Sequence, residues 1–118
     1  MKSLVVILTL GLVSPVFAHH SATMFKMAEP VSVTGVVKRF EWTNPHAYIY
    51  LEVNGPGGKP VEWTIELMSL DHLKAFGWSR KTVKAGDTIT CIGGPARSGA
   101  PAMQSTQIKL DDGRTIRS

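Results

Sequence analysis

The chain has 118 residues, 43% of them hydrophobic, with 13 basic and 9 acidic side chains and a formal net charge of +4. That length suits one small domain, and a single cysteine, Cys91, excludes an internal disulfide, so the fold must rest on its core. The basic residues are scattered, with Lys38-Arg39 and Arg80-Lys81 the only doublets, which excludes the concentrated stripe that nucleic-acid binding needs.

Residues 1–18 read as a secretory signal peptide. Lys2 precedes the apolar run from Leu4 to Val13, Pro15 breaks it, and Val16-Phe17-Ala18 puts modest side chains before a cut after Ala18. The run is about ten residues, short of the roughly 20 that a membrane span requires. The expectation is an exported, soluble domain of about 100 residues, placed in a bacterial periplasm, with no membrane span after cleavage. His19-His20 becomes its N-terminus.

Residues 19–30 form an arm without sustained periodicity, in which Met24, Phe25 and Met27 are the candidates to pin it to the body. The domain proper covers residues 31–118. Val31 to Trp42 is β-rich, and its alternation changes phase near Gly35-Val36-Val37, which predicts a bulge or bend. The turn Thr43-Asn44-Pro45-His46 leads into a second strand with Ala47, Ile49, Leu51 and Val53 on one face. After the loop Asn54–Pro60, a third strand turns Val61, Trp63, Ile65 and Leu67 inward and Glu62, Thr64 and Glu66 outward.

One short helix follows. Ser69 is its predicted cap, Asp71 lies in its first turn, Leu70, Leu73 and Phe76 share a side, and Gly77 ends it. A turn at Val83–Asp87 opens a fourth strand, Thr88–Ile92, in which Cys91 points with Ile89 and reads as a buried, inert thiol. The last strand, about Met103–Leu110, enters a hairpin turn before Thr115-Ile116. Three strands, a helix and two strands make a mostly β chain, a small five-stranded OB-like barrel with one short helix between strands 3 and 4. An SH3-like barrel or a small open sandwich is the alternative.

Three segments carry a family likeness: Ala18-His19-His20-Ser21, Glu41-Trp42-Thr43-Asn44-Pro45-His46, and Gly77-Trp78 followed by Lys84-Ala85-Gly86-Asp87, together with Trp63-Thr64-Ile65-Glu66-Leu67. With these the chain resembles the exported bacterial proteins catalogued as domain of unknown function 6152. Trp-Thr-Asn-Pro-His is the specific part; Lys-Ala-Gly-Asp is a generic turn. The resemblance implies an exported small β domain and brings no activity with it.

The candidate chemistry is metal binding. A processed His19 carries two nitrogen donors, the α-amine and the imidazole, and Cu(II) favours tetragonal nitrogen and oxygen ligands. Two arrangements are open. In one, the His19 amine and imidazole clasp the ion and a further histidine completes a T-shaped set. In the other, the amine, the His20 backbone nitrogen and the His20 imidazole form fused chelate rings. His46, in a turn stiffened by Pro45, is the natural further ligand. The predicted metal set is therefore His19, His20 and His46, with copper or another divalent ion as cargo; a solvated, inert terminus is the bland reading. A competing function is a metal-independent protein or glycan surface on the barrel face that carries Tyr48 and Tyr50. Catalysis lacks a constellation: there is no nucleophilic triad, phosphate loop or HExxH, and Glu62 and Glu66 stand about 13 Å apart along a strand, reading as solvated edge charges.

Overall fold

The computed structural model describes residues 23–118. Residues 1–18, expected to be a signal peptide, and the His19-His20 pair lie outside the described residues. Within them, β1 (Val31–Glu41), β2 (Tyr48–Asn54), β3 (Pro60–Glu66), α1 (Leu70–Ala75), β4 (Thr88–Pro95), β5 (Ala102–Lys109) and β6 (Thr115–Arg117) follow in order. β1 pairs antiparallel with β2 and with β4, β2 with β3, and β4 with β5. Parallel pairing of β3 with β5 closes these five strands into a barrel. This is the OB-like order that the sequence predicts. β6 only prolongs the sheet beyond β5, as the return arm of the terminal hairpin.

β1 serves two neighbours. Val31–Val36 face β4, and Val36–Glu41 face β2. Gly35 stands at this handover, where a Cβ would strike the Glu52 carbonyl and the Leu51 side chain. The close crossing of two backbones is what requires glycine there. The bulge falls just after it, where the register with β2 slips between Val37 and Arg39. The sequence places a bulge or bend near Gly35-Val36-Val37, and the slip begins at Val37, the end of that segment.

Alternation builds the interior. Ala47, Ile49, Leu51, Ile65 and Leu67 are fully or almost fully buried, and β4 and β5 add Ile89, Cys91, Met103 and Ile108. Side chains two apart on a strand share a face, so these residues meet inside the ring. Cys91 is sealed with Ile89 as expected, and burial pushes its thiol up to about 12.

One end of the barrel is plugged by α1 and the segment after it. Leu73 is fully buried. The Gly77 N–H donates to the Lys74 carbonyl and the Trp78 N–H to the Leu73 carbonyl, at 3.0 and 2.9 Å, with Gly77 at φ +93°. This is a Schellman closure, which brings the residue after the glycine back against the helix. Trp78 is accordingly buried at 3% exposure, and its indole N–H donates to the Arg117 carbonyl at 2.6 Å. Phe76, expected inward, is instead 38% exposed, with the Arg117 guanidinium 4.7 Å from its ring centroid. Ser69 occupies the cap position without capping; the Leu70 N–H donates to Asn44 Oδ1 at 3.1 Å.

Candidate functional site

The site is the corner where the β1–β2 turn meets the end of β3 and the start of α1. Asn44 ties the turn to the helix through its bond to Leu70, and Thr43 Oγ1 donates to the His46 carbonyl at 3.2 Å. The Asn44–Pro45 peptide is cis. Ala47 then exchanges backbone bonds with the strand opposite, its carbonyl accepting from Leu67 N–H at 2.9 Å and its N–H donating to Met68 at 3.3 Å. His46 is thus fixed from both sides, by the turn before it and by the sheet after it.

Its side chain is fixed as well. His46 Nδ1 lies 2.9 Å from the Leu67 carbonyl. A carbonyl only accepts, so Nδ1 carries the proton, and in the neutral ring Nε2 holds the lone pair. The Glu66 carboxylate lies 3.6 Å from the same Nδ1. Among the described residues Nε2 has no hydrogen-bond partner, and the side chain remains 30% exposed. Glu66, expected as a solvated outward charge, is in fact 9% exposed and sits between His46 and Tyr48. Burial, and then the Glu66 charge, raise the Tyr48 phenol above its ordinary value.

The outer face of β1 and β2 continues from this corner. The Tyr50 hydroxyl donates to Glu41 at 3.3 Å, and the Arg39 guanidinium covers the Tyr50 ring at 3.6 Å. Arg39 also pairs with Glu41 at 3.4 Å, and Lys38 with Glu62 at 3.0 Å. Tyr48 and Tyr50 are both half-buried. The face is a knit of charged and phenolic groups in which the Tyr50 ring is already stacked.

The arm docks elsewhere. Phe25 forms a bridge with Ala96 and is buried, the Lys26 N–H donates to Pro95, and the Arg97 N–H donates to Met24, both at 2.9 Å. Of the three predicted pins Phe25 is the one that inserts; Met24 and Met27 stay exposed. This anchor lies by the β4–β5 connection. Its level maps through Ala102, Thr64 and Tyr50 onto the middle of β2, four residues or about 13 Å along the strand from His46. Among the described residues no three His, Cys, Asp or Glu side chains gather into a metal-holding group. His72, the other described histidine, engages Ser69 Oγ through Nδ1 at 2.9 Å.

Fold and corner together define a small closed β-barrel domain with a braced histidine at one end. The model of a family of unknown function, DUF6152, matches residues 7–105, and the chain belongs to that family. No curated protein matches it. Among the described residues no helix is long and apolar enough to cross a membrane.

Sequence reasoning missed Glu66 and Leu67 as partners of His46. The signal was present in principle: Leu67 directly follows β3 and lies opposite Ala47, the residue before β2, so its carbonyl falls next to His46.

Proposed function

We propose that the chain is exported, is cut after Ala18, and serves in the periplasm as a metal-binding module, with Cu(II) the ion best suited to its donors. His19 supplies the α-amine and imidazole, and His46 Nε2 or the His20 nitrogens complete the set. The observation that carries this reading is the bond from His46 Nδ1 to the Leu67 carbonyl. Metal-binding histidines almost always donate their other ring N–H to a carbonyl or carboxylate, which fixes the tautomer and aims the lone pair. His46 has that arrangement, with Glu66 behind it to offset the charge of a cation.

Chain length sets a condition. From Phe25 back to His19 is six residues, at most about 20 Å when fully extended. The route to His46 needs about 13 Å along β2 plus the width of the intervening strands, each about 4.8 Å. A shared His19–His46 site therefore demands a nearly extended arm, whereas the His19-His20 chelate demands none. The metal-independent reading has less support, since Arg39 already occupies the ring of Tyr50 that a glycan would stack on.

The test is a Cu(II) titration of protein beginning at His19, compared with protein carrying one extra residue ahead of it. The expected outcome is loss of affinity by tenfold or more in the extended protein. Equal affinity would contradict an amine-dependent site.

A further inference from the structure

Among the described residues nothing plugs the barrel end opposite α1. The β2–β3 loop, with its turn at Pro56–Gly58, stands on one side, and the β4–β5 connection around Gly99 and Pro101 on the other. Between them lies a cleft of about 520 Å³, walled by Val33, Val53, Val61, Trp63, Pro56 and Pro101. Val53 pairs with Val61 and Leu51 with Trp63 on the inward face, so the wall is core that was never covered. Val53, Val61 and Trp63 remain only partly buried. An open barrel mouth of this size lies within the range of small-molecule sites, roughly 300–1,000 Å³.

Two properties define the occupant. Among the described residues no charged side chain lines the cleft, although 19% of the chain is charged. A charged ligand would leave water for an apolar wall without a counter-charge, which is costly. The rim does carry polar groups. Ser32 and Asn54 line the cleft, and among the described residues neither side chain makes a hydrogen bond to the protein, whereas the Thr34 hydroxyl is held by Thr90 at 2.8 Å. A hydroxyl and an amide at the edge of an apolar slot with a tryptophan wall suit one chemistry.

We propose that this open end is a second ligand site, which takes a small uncharged molecule with an aromatic or aliphatic body and a hydrogen-bonding group at its edge. It is independent of the metal corner, which lies at the other end of β2 and β3. The Trp63 indole packs against the body of the ligand, and Ser32 and Asn54 hold its polar edge.

The probe is N-phenyl-1-naphthylamine, a neutral aromatic amine, titrated into protein beginning at His19 with a chelator present so that metal plays no part. The expected result is saturable binding at one probe per chain, with energy transfer from tryptophan. Asn54→Lys, an exposed rim change that sets a cation at the mouth, should weaken binding tenfold or more while leaving the circular dichroism and melting curve unchanged. Trp63→Phe should bind with reduced transfer. Absence of saturable binding, or equal affinity in the Asn54→Lys protein, overturns the proposal. So does one probe per two chains with concentration-dependent dimerisation, since the cleft would then be a seat for a second copy.

Discussion

The two ends of this barrel solve the same problem differently. Every closed sheet leaves apolar side chains facing out at its two mouths. At one mouth the chain covers them with Leu73 and Trp78, both almost wholly buried, and locks the cover with the Gly77 closure, the Asn44–Leu70 bond and the Trp78–Arg117 bond. At the other mouth Trp63, Val53 and Val61 stay partly open between two loops rich in glycine and proline. A rigid end can hold a histidine in one orientation, and an open end can admit a ligand. The proposed metal role therefore falls to the covered end, and the proposed ligand site to the open one.

That division makes graded predictions. The largest effect belongs to the plug: Leu73→Ala should cost about 2–5 kcal/mol, as for a fully buried leucine that leaves a cavity. Val61→Ala at the open mouth should cost about 1 kcal/mol, because its methyls are already partly in water. Urea denaturation of the two variants measures the contrast, and equal losses would break it. Next is the tie between turn and helix. Asn44→Ala removes the acceptor of the Leu70 N–H and should cost about 1 kcal/mol, the usual worth of a helix cap, with His46 losing its fixed orientation in the same variant. A shift of the His46 ring resonances in two-dimensional NMR reads that second effect.

The smallest effect is electrostatic. Asp87 sits just before β4 and accepts from Lys84 Nζ at 2.7 Å and from the Lys84 N–H at 3.1 Å. The side-chain bond to Lys84 leads the causes that hold its carboxyl below the ordinary value. A carboxyl with a depressed folded-state pKa stabilises above its unfolded pKa, near 3.8, and that contribution disappears as pH falls through the folded value. Asp87→Asn should therefore be slightly less stable than the parent at neutral pH and converge with it in acid. Thermal melts across pH 2–7 check the sign, set by the depressed carboxyl pKa.

Much of the barrel was legible because a strand's alphabet has period two. Ala47-Ile49-Leu51 and Ile65-Leu67 announce their face in the sequence and occupy it, and the element order alone points to an OB-like closure. Three features were not legible in the same way. Phe76 and Trp78 exchange roles because Gly77 reverses the chain between them, so helical spacing no longer applies after residue 75; the Gly-Trp pair following Leu73 was the available cue. Glu66 lies at an outward position yet is buried, because burial there depends on His46 arriving from the neighbouring turn. The bulge was legible only to the segment Gly35-Val36-Val37; the slip falls at its far end, between Val37 and Arg39, and the close approach at Gly35 is a separate event. In the site, His46 was legible as a stiff turn histidine, whereas the carbonyl that orients it belongs to a strand about 20 residues later, a relation set by pairing.

In the proposed metal site, the covered end of the barrel would offer His46 Nε2 to the ion. Electron paramagnetic resonance of the Cu(II)-loaded protein beginning at His19, compared with its His46→Ala variant, tests it most directly. The variant is expected to lose one coordinated imidazole nitrogen from the superhyperfine pattern and to bind copper more weakly. Identical spectra and affinities in the two proteins would contradict it.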